Sequence, residues 1–383
     1  MLETQATRAE DREIAPDIPA GLELGLRNYW YPILQTEDLP AERPIQLTAL
    51  GEDIAVWRDA AGRPQVVRDR CPHRGVRLSR GRVLEGHLQC AFHGLRFDGT
   101  GRCTLIPWEP DTSRLRDEVR VDAYPSEELG GYVWAYIGDA ARFPPPPLAA
   151  EVPEELSDPE EFIWFRLPNE IWEANWLLTV DGGDAFHAVT LHADSQSTPS
   201  EKEWEGGTVA PSAVPLADRR VKIVETPHGM RGISVDRDGK PIHHGHVTRD
   251  IRGERVALPG IHTNPISAAP GAEPYAARLW QFPLDGNRTW VVRFLTWRAR
   301  TEEERARAGR IFEDVALPRL RRVSEEDARI ASGLDLVAAR SNEFLFEPDM
   351  DLVRIRRRLR DAFLAQREGV RVPVAGDAMA FPV

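Results

Sequence analysis

The chain has 383 residues, 42% of them hydrophobic and 29% charged, with a net charge of −12. That length exceeds one small core and suits two domains of ordinary size, and the composition is that of a globular protein. The negative balance argues against nucleic acid as a partner. No run approaches the roughly 18 apolar residues of a membrane span, and the opening MLETQATRAEDREIAPDIPAG lacks the apolar core of a signal peptide, so a cytoplasmic location is expected.

Residues 1–27 read as a polar, loosely held arm. From Asn28 to about residue 140 the text is strand-like. IQLTALGEDIAVWRD, a turn at AAGRP and QVVRDR predict a hairpin. LQCAFHGLRFD with GTGRC predicts a second, and GGYVWAYIG a closing aromatic strand. FPPPPL, residues 143–148, is a stiff linker, because four prolines continue neither sheet nor helix. In residues 141–383, FIWFRL is a predicted strand, NWLLTVDGGDAFHAVTLH is helical after Asn175, and residues 195–216 have loop composition. RRVKIVET, GMRGISVD, ARLWQFPL and TWVVRFLTWRA are predicted strands. TEEERARAGRIFEDVALPRLRRVSEEDARIAS is helical, with acidic residues in its first turn. A last helix spans about Asp349 to Arg367. The sum is an α+β chain with an all-β unit in front.

Three cysteines, Cys71, Cys90 and Cys103, are too few for a disulfide framework. Two of them lie in paired loops, Cys71-x-His73 and Cys90-x-x-His93. One thiolate and one imidazole per loop suit two adjacent irons, the cysteines on one and the histidines on the other, as in a Rieske [2Fe–2S] cluster. Structural zinc is the alternative, but its ligand pairs usually repeat one residue type with two to four residues between, and C-x-H breaks that pattern. Gly75 and Gly94 follow the histidines and let backbone amides approach cluster sulfurs. Cys103 is read as an ordinary free thiol and His87 as a surface residue.

A second set is Asp184-x-x-His187-x₄-His192. Two histidines and one carboxylate on one face of an iron make a facial triad, whose open positions bind O₂. Residues five apart on an ideal helix sit about 140° apart, so His187 and His192 converge only if the helix widens or ends between them. Alone, H-x₄-H is weak; the cluster motif upstream gives it meaning. The carboxylate belongs downstream, where Glu325, Glu326 and Asp327 all qualify, against the plain reading of a solvated acidic face. Asp184, three residues before His187, either accepts the N–H of that imidazole or caps a helix after Gly182-Gly183. His243, His244 and His246 are read as exposed loop.

With both motifs stated, the chain resembles the alpha subunits of Rieske non-haem iron oxygenases, in the homotrimeric group that includes carbazole dioxygenase, phthalate dioxygenase and vanillate demethylase. The likeness runs from NYWYPI at residue 28 to IRRRL near residue 359, through CPHRG, NWLLTV, LPGIHTNP and NEFLFEPD. It implies an N-terminal Rieske domain (28–140) and a C-terminal helix-grip catalytic domain (141–383), in which an antiparallel sheet wraps a long helix. Carried over by motif, Cys71, His73, Cys90 and His93 match the cluster ligands, His187, His192 and Asp327 the ligands of a mononuclear Fe(II), and Asp184 a bridging aspartate. Leu258 and His262 match a strand lining the substrate cavity, although strand alternation alone leaves His262 equally able to face solvent. Some relatives carry an asparagine four residues before the bridging aspartate; Val180 stands there in this chain. The resemblance further implies O₂ activation for mono- or dioxygenation of a small organic substrate, or oxidative demethylation, with electrons from NAD(P)H through a separate reductase or ferredoxin. The chain has no G-x-G-x-x-G motif with which to bind the nucleotide itself. A head-to-tail trimer would set Asp184 between His93 of one subunit and His187 of the next. Arg68, Arg70, Arg74, Arg77, Arg80 and Arg82 surround the first cluster loop and form a candidate docking collar for an acidic ferredoxin.

Overall fold

The computed structural model describes residues 13–110, 112–182, 187, 191–192, 220–226, 229–240, 258–267, 274–346 and 349–374. The chain divides into two compact units. One comprises Leu26–Glu151 with Phe282–Asp285; the other comprises Met1–Gly25, Val152–Gln281 and Gly286–Val383. The described strands pair antiparallel.

Residues 13–25, expected to be loosely held, are tied into the second unit. They form β1 (Glu13–Ala15), β2 (Ile18–Pro19) and a 3-10 turn at Leu22–Leu24. Ile18 and Leu22 are buried. The Trp176 indole donates to the Leu22 carbonyl at 3.0 Å, and the Asn175 amide donates to that of Glu23 at 3.0 Å. The apolar residues spaced through this polar text give it something to bury.

The first unit is all strand apart from short turns. It contains β3 (Tyr29–Gln35), β4 (Ile45–Ala49), β5 (Glu52–Arg58), β6 (Pro64–Arg68), β7 (Arg82–Leu84), β8 (His87–Gln89), β9 (Arg96–Phe97), β10 (Cys103–Leu105), the one-turn helix α1 (Leu115–Glu118), β11 (Ala123–Tyr124), β12 (Ser126–Leu129) and β13 (Tyr132–Ile137). Its three sheets have the orders β11-β6-β5-β4, β10-β9-β8-β7 and β12-β13-β3. Both predicted hairpins are present. All six residues of β13 are buried, so its aromatic run fills a central strand covered on both faces.

The second unit carries β14 (Phe162–Arg166), β15 (Glu170–Trp172), the helix α2 (Trp176–Asp181), β16 (Arg220–Thr226), β17 (Gly229–Val235), β18 (Ile261–Ser267), β19 (Pro274–Pro283) and β20 (Thr289–Arg298). The main sheet has the order β14-β20-β19-β18, and β15 also pairs with β20. One helical run follows: α3 (Glu302–Ile311), a π-helical turn at Phe312–Ala316 and α4 (Leu317–Ala331). Thr301 and Glu304 start it with a capping box. The wide turn precedes Pro318, which lacks an N–H and whose ring crowds the carbonyl four residues back. Then come α5 (Leu336–Asn342), which the sequence reading missed, and α6 (Met350–Arg367), which it expected.

Strand alternation gives the sheet two faces. Tyr275, Ala277, Leu279, Leu295 and Trp297 pack against Ala308, Phe312 and Ala316 of the long helix. Arg278 points to the opposite face. There its buried guanidinium meets the buried Glu155 at 2.7 Å, and the Thr296 hydroxyl donates to the same carboxylate oxygen at 3.1 Å. A fully desolvated pair of this kind is costly to break from one side. Glu155→Ala should therefore lose about 3–5 kcal/mol of unfolding free energy in a denaturant titration, while replacing both Glu155 and Arg278 by methionine should lose far less. Equal losses would show that the pair, rather than the lone charge, matters.

Candidate metal centres

The two Cys/His loops of the first unit share one hydrogen-bonded frame. The Cys71 amide donates to Val76 at 2.8 Å and the Gly75 amide returns to Cys71 at 2.9 Å. The Cys90 amide donates to Leu95 at 2.8 Å and the Gly94 amide returns to Cys90 at 3.1 Å. Each frame closes through a glycine in the left-handed region, φ 73° at Gly75 and 77° at Gly94. A side chain there would be strained, and at Gly94 it would also meet Pro107 at 3.1 Å. Within equal frames the histidine sits second after Cys71 but third after Cys90, yet the His73 and His93 rings meet with centroids 4.6 Å apart. The structure thus brings all four predicted cluster ligands together.

Cys71 and Cys90 are buried among Leu78, Leu88, Leu95 and Phe97, whereas His73 is exposed and His93 half-buried. Burial, reinforced by the neighbouring Cys90 thiol, pushes the Cys71 thiol up to about 11. Two adjacent thiols in apolar surroundings lack the positive charge that would ionise them, and a bound metal pair supplies it. Burial and the nearby charges of His73 and Arg74 hold His93 below the usual imidazole range. The buried Asp69 carboxylate accepts from the Ser79 amide at 2.7 Å and from its hydroxyl at 2.5 Å, bracing the chain beyond the first loop. Cys103 is also buried and bonds the Leu105 carbonyl at 3.4 Å; it joins no metal-like group among the described residues.

In the second unit, His187, His192 and Asp327 offer ligand atoms within 4.8 Å of one another. The Asp327 Oδ1 lies 3.0 Å from His192 Nε2 and 3.6 Å from His187 Nε2, and the two rings are 5.1 Å apart. Ligand atoms about 2.1 Å from a metal and at right angles to each other sit about 3 Å apart, so the donor set fits an octahedral facial site. Glu326 stands behind it: its Oε2 is 2.7 Å from His192 Nδ1. Burial lowers the proton affinity of His192, but the bonds to Asp327 and Glu326 outweigh it and raise the pKa. Glu325 is exposed and outside the group. Three adjacent carboxylates in the sequence thus take three different places.

The helix expected from Asn175 through His192 ends at Asp181. Asn175 caps its start by accepting from the Leu177 amide at 3.0 Å. Its end carries an acidic residue, which the helix dipole disfavours. The guanidiniums of Arg340 and Arg356 offset this, at 2.9 and 2.7 Å from the Asp181 carboxylate. Further along, the Leu191 amide donates to the His187 carbonyl at 2.7 Å. Asp184 lies outside the described residues, as do His243, His244 and His246. Arg293, missed by the sequence reading, is buried on the helix-facing side, 3.5 Å from Glu170. The Glu170 carboxylate also accepts from the Ser324 hydroxyl.

His262 and Leu258 are both buried. His262 pairs across the sheet with Leu279, so the two share the face covered by the long helix.

The arginines around the first loop divide in two. Arg68 pairs with Glu52 at 3.1 Å, Arg77 with Asp53 at 2.9 Å, and Arg82 donates to Gln89 at 2.8 Å. Arg70, Arg74 and Arg80 are exposed, with Arg74 lying over the Phe92 ring at 5.8 Å. No helix among the described residues is long and apolar enough to cross a membrane.

Comparison with known proteins gives two family matches. Residues 29–125 match the Rieske [2Fe-2S] domain, and residues 136–359 match the homotrimeric ring hydroxylase family. The chain is 34% identical over 48% of its length to the 3-chlorobenzoate-3,4-dioxygenase oxygenase subunit of Comamonas testosteroni, covering 44% of that protein. It is 36% identical over 47% of its length to the 5,5'-dehydrodivanillate O-demethylase oxygenase subunit of Sphingobium sp., covering 42% of it. The chain thus spans less than half the length of these curated relatives. Among solved structures, the reduced complex between oxygenase and ferredoxin in carbazole 1,9a-dioxygenase superposes with a TM-score of 0.65 at 25% identity, over 91% of this chain and 94% of that one. With more than half of its residues matching that family's model behind a Rieske domain, the chain belongs to the homotrimeric ring hydroxylases.

Proposed function

We propose that this chain is the terminal oxygenase component of a multicomponent cytoplasmic system, hydroxylating a small organic ring substrate with O₂ and electrons that start from NAD(P)H. Oxidative O- or N-demethylation is the second reading within the same chemistry, favoured by the likeness to the dehydrodivanillate enzyme. The observation that carries the proposal is the convergence of His187, His192 and Asp327 in a chain whose other unit pairs two Cys/His loops. A protein that only shuttles electrons would have no use for the second set.

In this reading residues 28–140 form the cluster domain and residues 141–383 the catalytic domain, with 1–27 as an arm. Cys71 and Cys90 hold one iron of a [2Fe–2S] cluster and His73 and His93 the other. His187, His192 and Asp327 hold a mononuclear Fe(II). When bound, the cluster supplies single electrons and the lone iron supplies O₂ activation. The protein's part is positional. Glu326 accepts a hydrogen bond from the Nδ1–H of His192 and leaves Nε2 free to ligate. The Asp181 anchor holds the end of α2 still just ahead of the histidine turn. The resemblance implies that Asp184 would accept the spare N–H of His187 and bridge to His93 of a neighbouring subunit. A head-to-tail trimer is supported by apolar side chains left on the surface of each unit: Trp108 and Phe344 are both 80% exposed, and Phe346 is 66% exposed. A ferredoxin is supported as electron donor by the exposed Arg70, Arg74 and Arg80 beside the histidine edge of the cluster.

Two outcomes follow. Purified protein should be red-brown and hold one [2Fe–2S] cluster plus one further iron per chain. His187→Ala should lose only the single iron and keep the visible spectrum of the cluster, and Cys90→Ser should lose the colour; loss of colour in His187→Ala would overturn the assignment of the two sites. Steady-state turnover with an acidic ferredoxin should fall as ionic strength rises, and Arg74→Glu with Arg80→Glu should lower it about tenfold at low salt. A rate indifferent to both salt and charge reversal would remove the arginines from the docking surface.

A further inference from the structure

His262 is 3% exposed, and its Nε2 is buried with no hydrogen-bond partner among the described residues. Gln281 is 4% exposed, and its Oε1 is in the same condition. Unsatisfied buried polar atoms are rare and costly, and two side by side call for a reason. The register places them together. Leu279 of β19 opposes His262, and the Gln281 amide donates to Gly260 at 3.0 Å. Gln281 and His262 are therefore diagonal neighbours on adjacent strands, and alternation puts Gln281 on the same face as Leu279. That is the face on which the long helix packs, the helix that carries Asp327. Gln281 is held in place from behind, since its Nε2 donates to the Thr179 carbonyl at 3.3 Å in α2, the helix leading toward His187.

We propose that His262 and Gln281 form an uncharged hydrogen-bonding subsite, which selects ring substrates bearing a hydroxyl or ring N–H over plain hydrocarbons and over carboxylates. The inference rests on the oxygenase reading only for the word substrate; the subsite is defined by the two orphaned atoms. The Gln281 amide oxygen accepts only, so its ligand must donate. The imidazole of His262 stays neutral near pH 7, because burial pushes its pKa down to about 4. In either tautomer a neutral imidazole satisfies a hydroxyl, which both donates and accepts. A carboxylate placed here would lose its hydration and meet an amide oxygen, with no positive charge from either side chain. A hydrocarbon would leave both protein atoms unpaired, the condition under which a site built for an O–H or N–H rejects the analogue lacking it.

The test is direct binding to the iron-loaded protein without reductant, by calorimetry, using three probes of one shape: fluorene, 9-hydroxyfluorene and fluorene-9-carboxylate. The hydroxyl compound should bind at least tenfold more tightly than either of the others. Gln281→Met and His262→Phe should each shrink that preference while keeping or improving fluorene binding, which also shows that the variants are folded. Equal affinity for fluorene and 9-hydroxyfluorene in the unaltered protein, or a preference that survives in both variants, would overturn the subsite. Iron content and turnover of any ring substrate are measured on the same preparations. A protein with both metal centres and turnover but no hydroxyl preference refutes the subsite alone; a preference without the lone iron refutes the oxygenase reading alone.

Discussion

The position of Asp327 depends on how closely one helix lies on one sheet. The underside of the helical run that carries it includes four small residues, Ala308 and Ala316 toward one end and Ala328 and Ala331 toward the other. The sheet answers with large ones, Trp297 and Tyr275 under the first pair and Trp172 under the second. Alanine at these four contacts lets the helix axis come near the strands there. The stacked rings of Phe165 and Phe312, 4.5 Å apart, lock the approach at the π-helical turn. A carboxylate on such a helix has little freedom to shift, which is what a ligand set held to a fraction of an ångström requires.

The helix that precedes the histidines has an anchor of its own. That anchor is Asp181, clasped by Arg340 of α5 and Arg356 of α6. Both helices come late in the chain, so the C-terminal third closes on the segment preceding the metal-like centre. Arg356 also reaches the Glu343 carboxylate, and burial together with the nearby Asp181, Asp17 and Asp349 raises the Glu343 pKa to about 7. At neutral pH that residue is only partly ionised, so Arg356 is shared unequally and its charge is committed mainly to Asp181.

How legible this was in the sequence follows from how local each signal is. The strands of the first unit and the long helix were readable because alternation, turn residues and a capping box act within a few residues. The paired Cys/His loops were readable for the same reason. Asp327 was readable only as one of three adjacent carboxylates, since choosing among them needs the helix phase relative to a sheet formed elsewhere. The end of α2 at Asp181 was hidden, because its two arginine partners lie more than 150 residues away. His262 was undecidable for a sharper reason: a strand's two faces exchange with a one-residue slip, and only pairing with Leu279 decides which face is covered.

The charges around the mononuclear centre give a last reason to read it as a cation site. Asp327, Glu326 and Glu170 bring three carboxylates to one region of the second unit, and Arg293 is the buried cation set among them. That guanidinium feels both Glu170 and Asp327, although burial dominates and draws its pKa down. Among the described residues one guanidinium faces three carboxylates in a part-buried space, an arrangement that is expensive unless compensated. The two carboxylates beside His192 raise its pKa against the effect of burial, the same pull toward a positive charge. A divalent ion held by His187, His192 and Asp327 would offset the carboxylate charge and favour the neutral imidazole able to ligate it, so metal binding and the protonation of His192 would be linked.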